Sequence, residues 1–171
     1  MFRLEEIWNL DETDLMTVMF PTRAVAPKGG TVPPVFVFTR IRNPVEYLGD
    51  ENSASAIAFG NKRERITSEV FPEVIKHFVS HVKCTQQNRV LLLVDNHESH
   101  ISVEVIRLCR ENGIVLLSFL PHTTHRLQPL DAGVYGPFKT YLAAAHHHWL
   151  LTNPAKVIAI RYLGALAKRA L

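Results

Sequence analysis

Leu91-Leu-Leu-Val-Asp95-Asn-His97-Glu-Ser-His100 decides how this chain is read. Four apolar residues run straight into an aspartate, and a polar, histidine-rich turn follows. A short apolar run bounded by turn residues reads as a buried strand. The strand delivers one carboxylate to its C-terminal end, where open α/β sheets place their ligand chemistry. The question is then which other acids reach Asp95.

The flanks of this stretch supply a crossover unit. Upstream, Ser68 is a candidate cap for a helix with Pro72 in its first turn. Val70, Val74, Ile75, Phe78, Val79 and Val82 form one apolar stripe at helical spacing, with His77 and His81 expected on the surface. Downstream, Ser102 caps a second helix that Gly113 ends, and Ile114–Phe119 is a further buried strand. Helix, strand, helix and strand in this order give a right-handed parallel unit.

Working outward, Glu6–Asp11 reads as a strand delivering Asp11 and Glu12 to a turn. Leu15–Phe20 is a second apolar run, either a strand paired back on the first or a buried loop. Pro34–Thr39 is rich in β-formers and reads as a strand. The span from Arg40 to Arg65 reads as loop with one helical turn. After the polar stretch Leu120–Asp131, Val134–Leu151 is expected to be helical. Asn153-Pro154 is expected to open a last helix as cap and first-turn proline.

The chain has 171 residues, 47% of them hydrophobic and 20% charged, enough for one domain with a sizeable core. No apolar run approaches the ~20 residues of a membrane span. The start, Met-Phe-Arg-Leu-Glu-Glu, is acidic where a signal peptide is apolar. Cys84 and Cys109 lack metal or disulfide spacing and read as free thiols in a reducing compartment. The net charge of +3 is unevenly spread: from Pro121 onward, Arg126, Lys139, Lys156, Arg161, Lys168 and Arg169 stand against one acid, Asp131. Solvated helix faces would explain this, and so would a polyanionic partner, nucleic acid first. His146-His-His148 point 100° apart on a helix and make a poor metal cluster.

Three aspartates stand out by position. Asp11 ends an early strand, Asp95 ends the central one, and Asp131 sits at a loop-to-helix junction. Taken singly, each is more often a cap or turn residue. Together they form a candidate site, because three neighbouring carboxylates repel unless a cation neutralises them. Hard oxygen ligands suit Mg²⁺ or Mn²⁺. Two such ions about 3.5–4 Å apart activate a water or 3′-hydroxyl and stabilise the leaving oxygen of a phosphodiester. An aspartyl-nucleophile phosphatase is disfavoured, since Asp11-Glu12-Thr13 lacks the second acid two residues on.

Trp8-Asn-Leu-Asp-Glu-Thr13, Leu91–His100 and Leu120-Pro-His-Thr-Thr-His-Arg-Leu-Gln-Pro-Leu-Asp-Ala-Gly-Val-Tyr-Gly-Pro-Phe-Lys139 resemble, in order, signature blocks of the DDE superfamily endonuclease domain. The branch is the pogo/Tigger type of transposase, with its relatives jerky and centromere protein B. Pro33–Phe38 and Thr67–Pro72 match as well. The resemblance implies a ribonuclease H-like fold whose metal-binding, catalytic carboxylates map onto Asp11, Asp95 and Asp131. It implies DNA as partner, cleavage of transposon ends and strand transfer with two Mg²⁺ (or Mn²⁺) ions, and a nuclear location. His100, His125 and Gln128 would flank the site, and Arg126 and Lys139 would meet phosphates.

The chain departs from that pattern in four places. It begins almost at the first block, without the family's helix-turn-helix modules. A strand-and-turn stretch is missing between Pro27–Gly30 and Val32–Pro34, for which Leu15–Phe20 is a candidate substitute. Lys62-Arg-Glu-Arg65 replaces the usual Gly-Trp. The chain stops at Leu171, before the family's usual continuation. The expected fold class is therefore α/β: a ribonuclease H-like mixed sheet flanked by helices, lacking part of the N-terminal antiparallel meander, in one truncated domain over 1–171. Two functional readings stand: a metal-dependent DNA endonuclease and strand-transfer domain, or a catalytically inactive, domesticated or fragmentary nuclear protein binding DNA or a protein partner such as a full-length transposase.

Overall fold

In the computed structural model, residues 1–15, 18–21, 32–48, 56–62, 66–120 and 127–170 are described. Three parallel strands hold the centre: β1 (Ile7–Asn9), β6 (Val90–Val94) and β7 (Ile114–Ser118), in the order β1-β6-β7. Ile7, Trp8 and Asn9 pair with Leu91, Leu92 and Leu93, and β6 pairs with β7 over its whole length. The apolar run of β6 follows from this central place: Val90, Leu92 and Val94 are buried and the residues between them are half-buried.

The flanking helices form as the sequence predicts, with corrections at the ends. Helix α2 (Val103–Glu111) carries the expected cap, Ser102 Oγ accepting from Val105 N at 3.4 Å. Gly113 takes φ +72° just past its end, and a Cβ there would run into the Thr85 carbonyl. Helix α1 (Phe71–Val82) starts later than expected and Ser68 does not cap it; the Thr67 carbonyl accepts from Val70 N and Phe71 N instead. His77 is not on the surface: it is buried, with Nε2 2.9 Å from the Pro33 carbonyl, and burial lowers its pKa.

A second sheet continues from the first. Strand β2 (Glu12–Leu15) comes after β1, separated from it by Leu10 and Asp11, and the sheet runs β2, β3 (Val18–Pro21), β4 (Val35–Thr39), β5 (Ile57–Asn61). The first two pairings are antiparallel and β4–β5 is parallel. Val18–Pro21 thus stands in the meander where the expected strand is short, and it meets β4 at one register pair, Met19 with Val37. Strand β5 lies inside the stretch read as loop, and the one helical turn expected there is Pro44–Tyr47. The apolar run Ala56–Phe59 is the available signal, hidden by polar flanks.

Strand β4 divides the interior by its two-residue period. Val35 and Val37 join Trp8, Phe71, Ile75, Phe78 and Leu92 in one core beneath α1 and α2. Trp8 and Phe78 meet edge to face, with centroids 5.5 Å apart. Phe36 and Phe38 face the other way, into a core with Phe138, Leu142, Leu163 and Leu166. Those residues come from α4 (Tyr135–Thr152) and α5 (Ile160–Ala170), which come after a short α3 (Pro129–Gly133). Asn153-Pro154 ends α4 rather than opening α5: Asn153 Nδ2 donates to the Trp149 carbonyl at 3.1 Å, and Ala155 turns away with φ +62°. The proline disfavours helical geometry at the residue before it, so the pair acts as a stop.

Candidate metal and nuclease site

The three aspartates come from three elements that meet at the carboxyl end of the central strands. Asp11 lies between β1 and β2, Asp95 directly after β6, and Asp131 in the first turn of α3. The charges of Asp131 and Asp95 both raise the pKa of Asp11, and that of Asp95 raises Asp131. Among the described residues no three His, Cys, Asp or Glu side chains are grouped closely enough to hold a metal ion as they stand.

Asp11 is the most deeply held of the three, at 9% exposure. Its Oδ1 accepts from Glu12 N at 2.8 Å, while Oδ2 is buried without a hydrogen-bond partner. Burial first, then the charges of Asp131 and Asp95, push its carboxyl up to about 7, against the Glu12 N–H and Gln128, which favour the anion. Asp131 is exposed; burial and Asp95 raise its pKa, while Lys139 opposes the rise.

Asp95 is held differently. Its Oδ1 accepts from His97 N at 3.0 Å and from His100 Nδ1 in a short contact. Burial works against its charge, but the hydrogen bond and charge of His100 outweigh it and leave the pKa lowered. His100 is 3% exposed, packs on Phe71 with ring centroids 4.1 Å apart, and turns Nε2 towards Glu12 Oε1 at 3.5 Å. Burial opposes its protonation, yet Asp95 and Glu12 together hold it up to about 9. Glu12 thus belongs to the site, joining the strand of Asp11 to the strand of Asp95 through one imidazole. By sequence it reads only as a turn residue, and its place beside Asp11 is the signal that could have found it.

Gln128 is fully buried; its amide donates to the Leu10 carbonyl at 3.4 Å, and its Oε1 has no partner. Tyr135 is a second residue missed by sequence reasoning. It is buried with its hydroxyl unpartnered, and burial together with Asp11, Asp131 and Glu12 drives its pKa up. Lys139 is exposed and within electrostatic reach of Asp131. His125 and Arg126 lie outside the described residues, as does Leu171, and the side chain of Lys168 is not described. Beyond His97, a polar cleft lined by Thr39, Arg40, Asn61, Lys62, Thr67 and Ser99 adjoins the Asp95 loop.

A sequence profile of the DDE superfamily endonuclease family matches residues 17–161. This chain belongs to that family. The match includes Asp95 and Asp131 and begins after Asp11. Known structures agree on the fold. The catalytic domain of the Mos1 mariner transposase superposes with a TM-score of 0.58 at 14% identity, covering 98% of this chain and 79% of that one. The simian T-cell lymphotropic virus intasome gives 0.53 at 15% identity, covering 95% and 47%. The catalytic core of BIV integrase gives 0.50 at 14% identity, covering 95% and 80%. The fold is thus the ribonuclease H-like mixed α/β fold of transposase and integrase catalytic domains. Over 74 residues the chain is also 42% identical to a Cochliobolus lunatus protein named MFS-type transporter clz9. That stretch is 43% of this chain and 8% of the fungal protein. No helix among the described residues is long and apolar enough to cross a membrane.

The aspartate oxygens are hard donors of the kind divalent cations take, and one of them, Asp11 Oδ2, is buried without a partner. Mg²⁺ is bound in this way, through one or two carboxylates and several retained waters rather than a closed protein cage.

Proposed function

We propose that this chain is a single catalytic domain of the pogo/Tigger type, that Asp11, Asp95 and Asp131 bind Mg²⁺ or Mn²⁺, and that it cuts and joins DNA phosphodiesters in the nucleus. The observation that carries this reading is Asp11. A carboxyl that is buried, partnerless at one oxygen and opposed by two further aspartates costs stability when charged, and a cation removes that cost. Family membership and fold supply the reaction class.

Bound divalent ions would supply an activated oxygen nucleophile and stabilise the leaving oxygen. The protein's residues do the rest. His97 N–H and His100 fix the rotation of the Asp95 carboxylate through Oδ1. Glu12 holds the far side of the His100 ring. Gln128, locked to the Leu10 carbonyl, keeps its amide beside Asp11 and away from solvent. Lys139, whose charge acts on Asp131, would meet a phosphate at the rim.

The test is nicking of supercoiled plasmid DNA with Mn²⁺ or Mg²⁺. Wild type should nick it and Asp95→Asn should not. DNA binding without metal-dependent nicking by wild type would instead support a non-catalytic binding domain.

A further inference from the structure

Asn9 ends β1, two residues before Asp11, and has no role in the chemistry described so far. It is 3% exposed, and both ends of its amide are used. Nδ2 donates to the Leu93 carbonyl of β6 at 3.2 Å. That carbonyl also accepts from Leu10 N at 2.9 Å. Oδ1 accepts from Leu130 N at 3.1 Å, across 121 residues of sequence. Leu130 is the second residue of α3, immediately before Asp131, and its N–H is one of the orphan donors every helix start leaves. A helix normally satisfies such a donor with the side chain of its own capping residue. Here the cap position is Gln128, which makes no cap hydrogen bond and turns its amide to Leu10 instead. Asn9 therefore caps α3 from a different element.

The carboxylate-bearing elements meet at this one side chain. Asp11 is two residues after Asn9, Asp95 is two after Leu93, and Asp131 is one after Leu130. We propose that Asn9 is the positioning residue of the site, a joint that ties the Asp131 helix to the Asp11 and Asp95 strands and sets the spacing of the three acids. A side chain that only donates or only accepts cannot do this, because the joint needs a donor on one side and an acceptor on the other. Asn9→Asp splits the two functions: it keeps an acceptor for Leu130 N but sets an oxygen against the Leu93 carbonyl.

The consequence for metal binding rests on the function proposed above, but the joint itself does not, and the experiment separates them. Amide hydrogen exchange on the metal-free protein reads the joint. In Asn9→Ala the Leu130 amide should exchange at least ~10-fold faster while the β6–β7 amides keep their protection. In Asn9→Asp the Leu130 amide should stay protected. Metal titration then reads the consequence. Asn9→Ala should raise the Mn²⁺ concentration for half-maximal thermal stabilisation about 10-fold, and should add nothing on an Asp131→Asn background, because both changes remove the same station. Unchanged Leu130 exchange in Asn9→Ala would overturn the joint. An equal rise on the Asp131→Asn background would overturn its action through Asp131. A wild type without metal response contradicts the proposed function, and the exchange arm still decides the joint.

Discussion

Asp11 and Asp95 stand at the ends of two neighbouring parallel strands, yet the protein treats them in opposite ways. Asp95 has its charge met from within, by His97 N–H and by a buried His100 that Glu12 helps to hold protonated. Asp11 has one backbone N–H at Oδ1, an unpartnered buried Oδ2 and two acids opposite, and its carboxyl rises to about 7. The pair therefore divides the work. Asp95 is already oriented by its own hydrogen bonds, whereas Asp11 keeps an unpartnered buried oxygen, which under the proposed function a cation would relieve.

That contrast can be broken in several ways. The largest effect is on chemistry: Asp11→Asn and Asp95→Asn should each lower Mn²⁺-dependent plasmid nicking by at least ~10³-fold. On stability without metal the two should diverge. Asp95→Asn strips a buried, charged His100 of its main partner and should cost about 2–4 kcal/mol in urea unfolding. Asp11→Asn removes a buried charge facing two others and should raise stability by about 1 kcal/mol.

The pH dependence sharpens the same contrast. Asp11 and His100 both have folded pKa values above their ordinary ones, about 7 and about 9. A raised group stabilises the fold most below its unfolded pKa and loses that contribution as pH rises through the folded one. Metal-free stability should therefore fall from about pH 4 to 7 through Asp11, and from about 6.5 to 9 through His100. Asp11→Asn should flatten the first span only, as read by thermal melts in a pH series. The smallest effect belongs to the rim. Lys139→Ala should weaken DNA binding less than about 10-fold and reduce the salt slope by about 1.

The crossover unit and the three acid positions were legible because they rest on local pattern: period, caps, and an apolar run ending in Asp95. Ends of elements were not. Asn153-Pro154 has the letters of a helix start and serves as a stop, since whether such a pair opens or closes a helix depends on how the preceding helix is packed. His77 carries a polar letter on an apolar face, and only the fold brings the Pro33 carbonyl to it. Asn9 was invisible for the same reason: its partners lie 84 and 121 residues away. The opposed states of Asp11 and Asp95 also belong to the fold, because two aspartates at strand ends read alike until burial and partners are assigned.

The claim that Asp11 is an electrostatic deficit awaiting a cation is tested most directly by thermal melts of wild type and Asp11→Asn at pH 8 over a Mn²⁺ titration. At that pH the Asp11 carboxyl is charged and the repulsion is full. Wild-type Tm should climb with Mn²⁺, and Asp11→Asn should start higher and stay flat. A flat wild type, or an equal climb in Asp11→Asn, would contradict the claim.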